Sequence, residues 1–151
     1  MYYLGYNYRL TDFQAALGIS QMKKIDFFLK KRKEIVKFYN KKLNSIKNII
    51  LPYEKNNFIS NFHLYVIQVK NNNKYNRYEL FKYLRKKKIL TQVHYIPIHY
   101  LKFYKKKYNF KKGDFPNVEK YYDQALSLPL YPGLSTKELN RVVKTVKDYF
   151  E

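Results

Sequence analysis

The chain has 151 residues, of which 46% are hydrophobic and 19% aromatic, and a formal charge of +20. That apolar content excludes an intrinsically disordered chain, the absence of cysteine excludes a disulfide framework, a zinc ribbon and a thiol nucleophile, and no apolar run is long enough for a membrane span. The chain therefore reads as a folded, soluble, cytoplasmic α/β protein. Its basic residues divide into 26 Lys and 5 Arg, scattered apart from Lys86-Lys87-Lys88 and Lys105-Lys106-Lys107. Phosphate and base readers favour the bidentate guanidinium. The charge is thus read as a solvated surface rather than a nucleic-acid face, and a basic domain binding a polyanion is kept as the rival reading.

Residues 1–10 are aromatic and irregular. A helix starts at Thr11, where Thr11 and Gln14 fit a capping box and Asp12 complements the helix dipole. Gly18 is expected to allow close packing. From Met22 apolar residues recur at three- and four-residue steps (Ile25, Phe28, Leu29, Ile35, Val36, Tyr39, Leu43, Ile46), which predicts a long amphipathic helix, kinked near Lys23 and ending before Pro52. Phe62 to Val69 reads as a central, buried strand, with His63 as a core histidine bonded to backbone. Asn76 and Glu79 start a capped helix that turns Leu80, Phe81 and Leu84 inward. A second strand is predicted over Ile89 to Ile98, and a short helix with a basic loop over 101–113. Pro116 opens a helix through Leu126, and Leu128 to Leu130 is extended. Ser135 and Glu138 cap the last helix, with Leu139, Val142, Val143, Val146 and Phe150 on one face.

Four glycines leave no room for a P-loop, a Gly-rich dinucleotide turn or a nucleophile elbow. The candidates for chemistry are His94 and His99, which bracket Pro97. Their offset of five points them to opposite faces of an extended strand, and neither Cys nor carboxylate stands nearby at ligand spacing, so a metal site is not expected. Structural and functional readings of the pair both stay open on spacing alone.

Read as phrases, four segments resemble the DegT/DnrJ sugar-aminotransferase family of fold-type I pyridoxal-phosphate enzymes. They are Leu4-Gly5-Tyr6-Asn7-Tyr8-Arg9-Leu10-Thr11-Asp12-Phe13-Gln14-Ala15-Ala16-Leu17-Gly18 with the following helix that contains Lys31-Arg32-Lys33, then His63-Leu64-Tyr65, then Thr91-Gln92-Val93-His94-Tyr95-Ile96-Pro97-Ile98-His99, and finally Phe115-Pro116-Asn117-Val118-Glu119 with Ser127-Leu128-Pro129-Leu130-Tyr131-Pro132-Gly133-Leu134-Ser135. The third is most similar to members that aminate a UDP-linked 4-keto-6-deoxy sugar for pseudaminic acid. The resemblance implies the C-terminal part of such an enzyme: residues 1–21 as the end of the large, cofactor-binding domain and the dimer interface, 22–50 as a long linking helix, and 51–151 as the small domain, a small sheet packed with helices. It implies a homodimer that uses pyridoxal 5'-phosphate, glutamate and a UDP-sugar. Asn7 would reach across the dimer to the cofactor phosphate, with Arg9 bracing that loop, and His94 and His99 would line the sugar-nucleotide side of the cleft. The Schiff-base lysine of the family lies upstream of the Gly5-Tyr6-Asn7 phrase. This chain is therefore expected to need the large domain, or a second subunit, to transaminate.

Overall fold

The computed structural model describes Tyr6 and residues 8–151; Asn7, the expected cofactor contact, lies outside the described residues. Helix α1 runs over Asp12–Met22 from the expected capping box, in which the Thr11 hydroxyl accepts from the Gln14 N–H and the Gln14 side chain accepts from the Thr11 N–H. The chain turns at Lys23 and Lys24, and α2 follows over Ile25–Leu43. This helix stops earlier than the apolar periodicity suggests. Residues 44–48 turn, and Ile49–Ile50 form a short strand, β1, that pairs antiparallel with the far end of β2 (Tyr65–Val69). No two-residue strand carries a periodicity of its own, which is why the helical pattern hides it.

β2 is the central strand, as its apolar faces require, and its other neighbour is β3 (Ala125–Leu128), also antiparallel, with Tyr65 opposite Leu128 and Gln68 opposite Ala125. The strand expected over 89–98 does not form. Its ladder is reduced to one bridge, in which Gln92 and Ser127 exchange both backbone hydrogen bonds at 3.2 and 2.8 Å. Beyond it Pro97 has no N–H to donate, and residues 98–100 close into a 3₁₀ turn. Helices α3 (Arg77–Lys86), α4 (Lys102–Tyr108), α5 (Pro116–Gln124) and α6 (Thr136–Phe150) complete the fold. The Asn76 cap and the Ser135–Glu138 capping box are both present. β3 begins three residues before the extended stretch predicted at Leu128, taking in Ala125 to Ser127, and all four of its residues are buried.

The core lies between the sheet and α2, α3 and α6, built from Val36, Tyr39, Leu43, Ile67, Leu80, Leu84, Leu126 and Val146. Polar side chains fasten α2 to the sheet. The Arg32 guanidinium donates to the carbonyls of Phe62, His63 and Leu130 at 3.1–3.3 Å, and the Tyr39 hydroxyl donates to Pro129 O at 2.9 Å. His63 itself is exposed and is not a core histidine; its carbonyl, not its ring, takes part in the clamp. By contrast α1 buries none of its residues, and among the described residues no neighbouring atom lies within 4 Å of where a Cβ on Gly18 would stand. Among the described residues no helix is long and apolar enough to cross a membrane.

Candidate functional site

The two candidate histidines stand on different elements and hold different partners. His99 falls in the 3₁₀ turn and is 6% exposed. Its ring packs against Tyr100, Phe110 and Phe115, and its Nε2 lies 3.0 Å from Glu119 Oε1. Glu119 sits in the first turn of α5, which Pro116 opens with its preset φ. From there its carboxylate faces back to the preceding loop and accepts the Gly113 N–H at 2.8 and 3.0 Å. Gly113 has φ +100°, a left-handed backbone that a side chain would strain, so glycine is what lets this N–H point at the carboxylate.

Burial pushes the Glu119 carboxyl up. The Gly113 N–H, His99, the Tyr100 hydroxyl and the Phe115 N–H favour its charged form, and together they hold it below the ordinary 4.5. The Tyr100 phenol is raised, by burial first and then by its hydrogen bond to Glu119. A group with a depressed folded value contributes stability that is complete above its ordinary value and lost as pH falls through the folded one. Urea unfolding from about pH 6 down to about pH 3 should therefore show a falling midpoint, and Glu119→Gln should fall less steeply. Parallel profiles for the two proteins would remove Glu119 from the acid response.

His94 is only half-buried. The Gln92–Ser127 bridge brings its segment against β3, and two residues later His94 Nδ1 lies 2.8 Å from Ser127 Oγ. Tyr95 stacks edge-on to the ring at 4.7 Å. Tyr95, Ile96 and Ile98 are exposed around it, while Pro97 turns inward. The result is an apolar surface carrying one imidazole, with the His99–Glu119 pair fixing the turn behind it. Sequence reasoning missed Glu119 and Ser127 as the partners. The signal for Glu119 was available: it is one of only 11 acidic residues among 31 basic ones, placed one turn after a helix-opening proline.

The cofactor implied by the resemblance needs an enclosed amine as well as phosphate donors. Among the described residues the buried polar side chains are Thr91, His99, Glu119, Ser127 and Thr145, none of them a lysine. These residues do not by themselves form a pocket for pyridoxal phosphate.

Known proteins match this chain along most of its length. The model of the DegT/DnrJ/EryC1/StrS aminotransferase family matches residues 1–147. The UDP-4-amino-4,6-dideoxy-N-acetyl-beta-L-altrosamine transaminase of Campylobacter jejuni serotype O:2 is 38% identical over 154 residues, covering 98% of this chain and 39% of that protein. Among solved structures, Helicobacter pylori PseC, an aminotransferase involved in pseudaminic acid biosynthesis, superposes with a TM-score of 0.87 at 28% identity, over 98% of this chain and 39% of that one. The putative sugar aminotransferase Spr1654 of Streptococcus pneumoniae, solved in a PLP form, gives a TM-score of 0.84 at 28% identity, over 93% and 36%. The chain thus spans less than two-fifths of the length of these relatives.

Proposed function

The chain belongs to the DegT/DnrJ/EryC1/StrS aminotransferase family, and from that premise we propose that it is the C-terminal segment of a nucleotide-sugar aminotransferase. The complete enzyme moves an amino group from glutamate to a UDP-linked 4-keto-6-deoxy sugar, in the cytoplasm, for pseudaminic acid or a related surface glycan. One observation carries the reading: a single continuous likeness covers 98% of the chain both in the Campylobacter transaminase sequence and in the PseC structure. When bound, pyridoxal phosphate supplies the electron sink of such a reaction, and the protein supplies binding and orientation.

In this reading residues 1–21 complete the large domain and the dimer interface, while α2 leads from them into the small domain and packs in its core together with β1 and residues 51–151. Asn7 donates its amide to the cofactor phosphate across the dimer, a neutral donor suited to a phosphate oxygen. His94 faces the sugar nucleotide. His99 serves the same side of the cleft through the turn that Glu119 fixes. The chain does not transaminate alone, because the reacting amine belongs to the large domain.

The test is a chimera in which this chain replaces the matched 39% of the Campylobacter transaminase. The chimera is expected to bind pyridoxal phosphate and to aminate the UDP-4-keto sugar with glutamate as donor, while the chain alone does neither. A chimera that folds and binds the cofactor but ignores the UDP-sugar would overturn the substrate assignment. Turnover by the chain alone would overturn its dependence on a partner.

A further inference from the structure

We infer that Ser127 is a positioning residue that fixes His94 as a hydrogen-bond donor through Nε2–H, so that the site receives an oxygen acceptor of the ligand rather than a donor. The argument is an account of protons. Ser127 is 5% exposed, and both its backbone groups are already taken by Gln92. Its hydroxyl has one partner among the described residues, His94 Nδ1 at 2.8 Å. A hydroxyl both donates and accepts, while each nitrogen of a neutral imidazole does only one. If Nδ1 carried the proton it would donate to Oγ, and the buried Ser127 O–H would be left with no acceptor. Most buried donors in folded proteins are satisfied, and leaving one unmade costs more than a typical hydrogen bond contributes. The arrangement that satisfies both groups has Ser127 O–H donating to an unprotonated Nδ1. The ring proton then sits on Nε2.

Nε2 has no hydrogen-bond partner among the described residues, and His94 is half-buried beside the exposed Tyr95 and Ile96. It is therefore a donor held at a set angle and directed away from β3. It fits a ligand atom with lone pairs and no proton, such as a keto or diphosphate oxygen. The hold is rigid because Ser127 lies in β3, opposite Val66 of the central strand, and because the Gln92 bridge fixes the start of the His94 segment. His99 cannot take this role through Nε2, which is committed to Glu119. This inference rests on the reading of His94 as a sugar-nucleotide contact only for the identity of the ligand, not for the tautomer.

Two measurements test it separately. In the full chain labelled with ¹⁵N-histidine, long-range ¹H–¹⁵N correlation at a pH where the ring is neutral should show His94 with the proton on Nε2 and an unprotonated, hydrogen-bonded Nδ1; His94→Gln assigns the signals. Ser127→Ala should move the Nδ1 shift toward that of an unrestrained imidazole, and Ser127→Thr should restore it, with circular dichroism confirming the fold of each. A proton on Nδ1 in the parent chain, or an Nδ1 shift unmoved by Ser127→Ala, would overturn the proposal. In the active chimera, Ser127→Ala should raise KM for the sugar nucleotide about 3- to 10-fold with little change in kcat. An unchanged KM would overturn the positioning role. A chimera that folds and binds the cofactor but is inactive on the sugar nucleotide, combined with the expected shifts, would overturn the assigned substrate while leaving the tautomer established.

Discussion

Tyr39→Ala is expected to lower the unfolding free energy by about 3–5 kcal/mol, whereas Tyr39→Phe should lower it by only about 0.5–1.5 kcal/mol. Tyr39 has no exposed surface, its ring centroid lies 4.9 Å from that of Tyr65, and its hydroxyl donates to Pro129 O. The alanine variant loses ring packing in the core and leaves a cavity between α2 and the sheet. The phenylalanine variant loses only the link to the residue after β3. Because a domain of this size has roughly 5–15 kcal/mol in total, the first change should leave the chain marginal and the second should not. Burial, reinforced by the neighbouring Tyr65 and Tyr131, raises the Tyr39 phenol above its ordinary 10. The sign follows: the folded state keeps a proton that the unfolded state gives up, so stability falls as pH rises beyond 10. Urea titrations of the three proteins measure both effects. Equal losses for the two variants would show that the ring contributes nothing beyond its hydroxyl.

The full chain is expected to self-associate at micromolar concentration, and Phe13→Asp with Leu17→Asp together should convert it to a monomer. Leu10, just before the Thr11 cap, and Phe13 and Leu17 on α1 recur at three- and four-residue steps, and Phe13 is 81% exposed. Together with the exposed Ile19 and Met22, they leave a helix that buries nothing yet presents large apolar side chains, which is uncommon on a monomer's surface and marks a contact. The proposed position of residues 1–21 in a large domain and dimer interface supplies that contact in the complete enzyme. Two carboxylates on the stripe make its burial unfavourable without touching the core. Sedimentation of both proteins decides the matter; a parent chain that stays monomeric at high concentration counts against the placement.

How much of this was legible in the sequence depended on how local each cause is. The caps at Thr11, Asn76 and Ser135 could be read because each depends on residues three apart. β2 could be read because both its faces are apolar, which only a central position explains. The segment 89–98 has the composition of a strand, yet whether it forms a ladder depends on β3, some thirty residues later, and β3 engages it only at Gln92. β1 is too short to have a pattern, and His63 was misjudged because the strand starts two residues after it, at Tyr65. At the site, spacing placed His94 and His99 on opposite sides of an extended strand. It could not name Ser127 and Glu119, which reach them from 33 and 20 residues away. Those partners are what separate a fixed, buried histidine from one with a nitrogen left to offer.

The sheet's order also sets a timetable for making the protein. β2 is central, but one of its two neighbours is synthesised much later: residues 70–124 must emerge before β3 can lie beside it. During translation Tyr65, Ile67 and Val69 wait with only the two-residue β1 on one edge, the other edge open, and α6 not yet made. Pairings between such distant segments are slow to close, and an open apolar strand is a template for other chains. A ribosome paused anywhere in α3 to α5 would hold the nascent chain in its most adhesive state, so yield in the cell should depend on elongation speed across that stretch more than on the stability of the finished fold.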